Sequence, residues 1–318
     1  MKRIFLSIIL LLSAHQLAFA KQEPWVEELK AAQAALAAKD YRTAYDLYRS
    51  KADRNPLAQF VIGLFHHNGW DRAPDPRTAC SWFEKAAAKS IPAAEHYWGD
   101  CLAEGIGRAP DVPAAIAWYG KAASHGHLIS QCSVADHYIQ GKGVPKDVKR
   151  GVELCTQIAQ ANSPPAMLKL ARYYREGKDV PQDLAAARHW YQQAAERRSA
   201  EAQYQLGLML AQGEGGEPDL DSALFWLETA AGNGHVPAYL PTAVLYANAP
   251  VQQATGALAP EHLAKIYLWA AAAKARSGTP EQLTAAEKLE AQVLAVMPET
   301  WRADLDKKVA EHLARYPL

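Results

Sequence analysis

A small residue recurs every 36 positions along this chain. Ala58, Ala94, Ser130, Ala166, Ala202 and Ala238 stand five equal steps apart with no insertion between them. A period of this length marks an array of stacked supersecondary units, none of which can bury its apolar face alone. Every other feature therefore has to be placed in that register.

Four more columns keep it. Five residues after each start come Gly63, Gly99, Ala135, Ala171, Gly207 and Ala243, and six further on come Gly69, Gly105, Gly141, Gly177 and Gly213, with Ala249 in the degenerate sixth copy. Asp75, Asp111, Asp147, Asp183 and Asp219 lie seventeen residues after the starts. The chain contains 15 Asp, so five matches in five would arise by chance about two times in ten million, which rules out coincidence. Trp82, Trp118, Trp190 and Trp226 share a later column, broken by Leu154, and Ala pairs such as Ala86-Ala87 and Ala230-Ala231 follow in the next turn.

Each column has a physical task in a helical hairpin. In the first copy residues 57–68 carry apolar side chains at helical spacing, and Gly69 supplies the left-handed residue that ends a helix. Pro74, Pro110, Pro145, Pro181 and Pro218 then stand one or two residues before the Asp and prevent the helix from continuing. The Asp caps the second helix, accepting from its orphan N–H groups and complementing the dipole. Small residues let the two backbones approach, and the Trp column is expected to fill the space between them.

Read this way, the pattern resembles the Sel1-like repeats, relatives of the tetratricopeptide repeats. The fifth copy carries it best, through Ala202, Leu206, Gly207, Leu210, Gly213, Gly215, Asp219, Ala223, Trp226, Ala230 and Ala231. The resemblance implies an all-α, right-handed α-solenoid. Residues 55–276 are expected to form six repeats, the sixth carrying five extra residues within the polar stretch 251–260. Residues 21–54 are expected to cap the N-terminal end, with helices at 25–38 and 41–52. Residues 277–318 would cap the other end with two Glu- and Lys-rich helices, at 280–296 and 298–316.

The compartment comes from the N-terminus. Residues 1–20 place Lys2 and Arg3 before an apolar run ending in Ala18-Phe19-Ala20, the form of a secretory signal peptide cleaved after Ala20. Its removal takes Lys and Arg from 34 to 32 against 34 Asp and Glu, a formal charge of −2. Nucleic acid is a poor partner for such a chain. No later stretch has the ~18 to 20 apolar residues of a membrane span, and no Cys follows the cleavage site to carry a lipid. A soluble periplasmic protein is expected.

An oxidising compartment bears on the four cysteines, an even number. Cys132 and Cys155 fall on the two helices of one repeat, and Cys80 and Cys101 on adjacent helices across a repeat boundary. Helix positions leave two outcomes open, Cys80–Cys101 with Cys132–Cys155, or buried free thiols. Cysteine-rich members of the resembling family place their pairs nearer the turns. His125 and His127 form an H-x-H, but His127 shares a column with His235 at the turn between repeats, so a solvated turn is expected rather than a metal site. His66 and His67 end a helix and are expected to cap carbonyls. The glycine-rich turns at Gly141 and Gly213 lack the Lys-Ser/Thr of a phosphate loop, and no nucleophile motif appears. No cofactor is implied, and binding is expected rather than catalysis.

The outward columns of the first helices are the candidate contact surface. They hold Tyr97, Asp100, Glu104, Asp136, Gln140, Arg172, Arg175, Glu176, Gln205 and Gln212. A concave face of this kind suits a protein or peptide, against the plainer expectation of solvated helix faces. The family resemblance implies roles in envelope assembly, signalling, virulence or enzyme neutralisation, including immunity proteins paired with phospholipase effectors of type VI secretion. An inhibitor or adaptor of a toxin effector or envelope enzyme is the preferred reading. The alternative is a cell-wall or β-lactam-interacting enzyme or binder, implied by cysteine-rich relatives.

Overall fold

The computed structural model describes residues 24–254 and 256–317. The expected signal peptide, residues 1–20, lies outside them. Among the described residues there is no strand. Short helices α1 (Pro24–Glu27) and α2 (Lys30–Ala37) precede α3 (Tyr41–Lys51), and the expected helix at 25–38 is broken at 28–29. Five hairpins follow: α4 (Pro56–Asn68) with α5 (Pro76–Ala87), α6 (Pro92–Glu104) with α7 (Val112–Ser124), α8 (Ser130–Gln140) with α9 (Val148–Gln160), α10 (Pro164–Glu176) with α11 (Leu184–Glu196), and α12 (Ala200–Gln212) with α13 (Leu220–Gly232). A sixth helix pair, α14 (Tyr239–Ala247) and α15 (Pro260–Ala275), spans the longer connection, and α16 (Pro280–Leu294) and α17 (Arg302–Arg315) close the chain.

The turn inside each hairpin is built by local chemistry. Gly69, Gly105, Gly141, Gly177 and Gly213 all take positive φ, from 65° to 70°, and end their helices in the left-handed conformation. The residue five places on closes over the glycine: Pro74, Pro110 and Pro218 in three copies, Lys146 and Gln182 in the two whose proline falls one position earlier. Each Asp then fastens the turn twice. Its N–H donates to the carbonyl nine residues back at 2.8–3.0 Å. Its Oδ1 accepts from the N–H three residues on, at 3.1, 3.0, 2.9, 2.9 and 3.0 Å along the chain.

Packing between the two helices corrects one expectation. The Trp column is only half-buried; the next residue, Phe83, Tyr119, Cys155, Tyr191 or Leu227, is the buried one. One position on a helix is a rotation of about 100°, so the hairpin turns the later column inward. A Cβ on Gly63, Gly99 or Gly207 would come within 2.5, 2.6 and 2.6 Å of Phe83, Tyr119 and Leu227. Glycine there lets the opposing side chain fill the gap. Trp82 and Trp118 lie at the rim instead, each under a lysine ammonium, Lys85 and Lys121, 4.4 Å from the ring.

Cysteine pairing joins Cys80 to Cys101 and Cys132 to Cys155. The first bond ties α5 to the next repeat, and the second crosses one hairpin. The chain divides into two compact units, up to Ala161 and from Asn162 onward.

Candidate functional site

In the N-terminal unit α6 carries Tyr97, Asp100 and Glu104, and α8 carries Asp136 and Gln140. Tyr119 on α7 donates its hydroxyl to Asp100 Oδ1 at 2.7 Å. Burial, and then the charges of Asp100, Glu104 and Asp136, raise the Tyr119 pKa, so three carboxylates act on this one hydroxyl. Tyr97 is half-buried, its ring 4.8 Å from Phe83, 5.8 Å from Phe60 and 5.5 Å from His67, and after burial the Asp100 charge raises its pKa too.

His127, His66 and His67 depart from expectation. His125 Nδ1 lies 2.8 Å from Oε2 of Glu95, which is fully buried, and Lys121 Nζ lies 3.3 Å from the other oxygen. His127 Nδ1 is 2.7 Å from Ser130 Oγ, and burial followed by the His96 charge pushes its pKa down to about 4. His127 is thus partly enclosed against Ser130, while His125 stays exposed at the turn, as expected, and reaches back to Glu95. His66 and His67 likewise make side-chain contacts instead of capping carbonyls, His66 with the Tyr45 hydroxyl at 3.4 Å and His67 with the rings of Phe83 and Tyr97.

Ser130, His96 and Asp100 also form a chain that resembles a nucleophile relay. Ser130 Oγ is 3.1 Å from His96 Nδ1, and His96 Nε2 is 3.6 Å from Asp100 Oδ2. Ser130 is fully enclosed and its oxygen is shared with His127. A nucleophile needs open approach to a substrate carbon, so this chain is read as a structural tie in the small-residue column.

In the C-terminal unit the predicted residues of α10 and α12 come together. Arg172, Arg175, Glu176 and Gln205 line a recess of about 400 Å³ with Tyr191 of α11. Arg175 is fully engaged: Nε and Nη2 reach Glu214 at 2.8 and 3.2 Å, and Nη1 reaches Gln205 Oε1 at 2.7 Å. Gln205 in turn donates to Glu201 at 2.9 Å. Gln212 is exposed and stands outside the recess. Tyr191, Glu214 and the buried Glu95 were not among the sequence candidates. A signal for Tyr191 exists, since 172 and 191 repeat the nineteen-residue offset of Asp100 and Tyr119.

Antiparallel helix pairs with a shared turn chemistry, repeated in one register, define an α-solenoid protein. The Sel1 repeat family matches the chain at residues 56–90, 92–127, 128–163, 164–199 and 200–235, more than half its length. The chain belongs to the Sel1 repeat family. The matched segments end before α14 and α15, so the sixth pair is a hairpin outside the family match.

Among solved structures, a Sel1 repeat protein from Oxalobacter formigenes is 26% identical over 84% of this chain and 99% of its own, with a TM-score of 0.54. The protein c5321, a protective antigen of uropathogenic Escherichia coli displaying an SLR fold, is 19% identical over 94% of this chain and 62% of its own, with a TM-score of 0.55. The immunity protein Pa5087 from Pseudomonas aeruginosa is 18% identical over 60% and 73%, with a TM-score of 0.46. No curated protein matches the chain. Among the described residues no helix is long and apolar enough to cross a membrane.

Proposed function

We propose that this protein is a periplasmic, non-enzymatic binding protein that holds another protein against the first-helix faces of its middle repeats, in the manner of an inhibitor or immunity protein. One observation carries the reading. The column of residue 172 runs Leu64, Asp100, Asp136, Arg172, Leu208, so the three middle copies place charges where the flanking copies place leucine. Leu64 packs in the same position, so the hairpin forms without a charge there; Asp100 takes the Tyr119 hydroxyl, while Arg172 is exposed. Charges at contact positions set register and reject wrong partners. Two disulfides support export to an oxidising compartment.

Affinity capture from the periplasmic fraction of the native host tests it, with wild type beside the double variant Asp136→Ala, Arg172→Ala. The expected result is one retained protein whose affinity falls by about 2 kcal/mol in the double variant. A neighbouring gene for a secreted lipase or cell-wall hydrolase names the first partner to try. Equal binding by wild type and double variant would remove Asp136 and Arg172 as contact residues.

A further inference from the structure

Positions 100 and 119 of the second repeat return as 172 and 191 in the fourth. In the second repeat the pair is an acceptor and a donor, with Tyr119 giving its proton to Asp100 at 2.7 Å. In the fourth the tyrosine remains, but the acceptor has become Arg172. A guanidinium has only donors, so residue 172 cannot take the Tyr191 proton. Among the described residues no acceptor takes that hydrogen, and the exposed Arg172 side chain has no hydrogen-bond or ion-pair partner. Arg175 beside it is already bound to Glu214 and Gln205. Two unspent donors therefore share one recess.

We propose that this recess takes a carboxylate from an acidic segment of the partner protein. The Arg172 fork receives it through two parallel hydrogen bonds, and Tyr191 gives a third. The carboxylate that the second repeat supplies from within is supplied from outside to the fourth. A singly charged, planar group suits the site better than a phosphate. Glu176 lines the same recess and Glu214 lies across Arg175, so a second negative charge would meet repulsion. This inference rests on the protein-binding reading above and specifies its chemistry.

The test is an NMR titration of the full chain at low ionic strength with acetylated hexaglutamate, followed at the Arg175 Nε–Hε group and the Tyr191 ring. Hexaglutamine and inorganic phosphate are run beside it. Hexaglutamate is expected to shift both groups saturably and hexaglutamine to shift neither. Arg172→Gln should weaken the hexaglutamate response by about tenfold or more with an unchanged melting temperature, since Arg172 is exposed and unpaired. Tyr191→Phe should weaken it by a smaller factor, about threefold. Arg172→Lys should restore part of the response, as a cation without the fork. An equal response in Arg172→Gln and wild type, or equal responses to hexaglutamate and hexaglutamine, would overturn the proposal. So would displacement of hexaglutamate by phosphate at equal concentration. Partner capture without any hexaglutamate response overturns the carboxylate assignment alone. A hexaglutamate response lost in Arg172→Gln, with no partner captured, upholds the recess chemistry and removes the protein-binding reading.

Discussion

Replacing Gly143 by alanine should destabilise the protein about three times as much as the same change at Gly107. Both are the second glycine of a hairpin turn, one repeat apart, with φ of +71° and +75°. An alanine at either position carries the same left-handed strain, about 1 kcal/mol. Asp71 holds φ +56° in this register one copy earlier, which shows that a side chain can be accommodated there. The surroundings differ. A Cβ at 107 would meet only Arg77, at 3.6 Å from Cγ, an ordinary contact with a movable side chain. A Cβ at 143 would lie 2.3 Å from Val112 Cβ and 2.6 and 2.7 Å from its two methyls. Val112 cannot rotate away, because the nearest atom is its own Cβ, so the two repeats must separate. Overpacking of this kind adds roughly 2 kcal/mol, for a total near 3 kcal/mol. At about 2 to 4 °C per kcal/mol, thermal unfolding followed by circular dichroism should fall by ~2–4 °C for Gly107→Ala and ~6–12 °C for Gly143→Ala. Gly215→Ala offers the parallel test in the other unit, where the obstacle is the Leu184 carbonyl oxygen at 2.3 Å. Equal losses for Gly107→Ala and Gly143→Ala would mean that backbone strain alone matters and that the second glycine does not set the spacing between repeats.

Four further outcomes follow from the same structure. Tyr119→Ala should cost roughly 3 to 5 kcal/mol and Trp118→Ala much less, because only the former empties a buried site; equilibrium denaturation that ranks them the other way would restore the Trp column as the core. The folded His127 resists protonation until about pH 4 against an ordinary value of 6.5, so the unfolded state binds the extra proton between those limits. Stability should be complete above pH 6.5 and fall toward pH 4, by ~3 kcal/mol at most, and His127→Gln should flatten that slope in melts taken across the range. Reducing the two disulfides, which close 21- and 23-residue separations, should lower the midpoint by the equivalent of ~3 kcal/mol each; a melt unchanged by dithiothreitol would refute that. Glu95→Gln should change stability by no more than about 1 kcal/mol. Gln203 in the same column already donates to a backbone carbonyl, Ala195, at 3.2 Å, and a large loss on denaturation would show that the Glu95 carboxylate's contacts with Lys121 and His125 are required instead.

The period, the helix ends and the turns are written in the local order of residues. Gly69 and its equivalents, the Asp caps and the prolines act over at most nine residues of chain, and contacts of that range form wherever the residues appear in order. The disulfide partners were also within reach of the register, although the choice between bonded and free thiols was not. Tertiary structure alone decided which of two adjacent columns turned inward. Trp82 and Phe83 are equally apolar, and a rotation of one residue about the helix axis is set by the neighbour it packs against. It also decided that Glu95 is enclosed and that its carboxylate meets His125, thirty residues away. The recess of the fourth repeat has the same origin. Arg172 and Arg175 read alike in sequence, yet Glu214 and Gln205 bind Arg175 and leave Arg172 open to an outside carboxylate. A side chain's partner depends on which helix lies across from it, and that is fixed only when the hairpins stack.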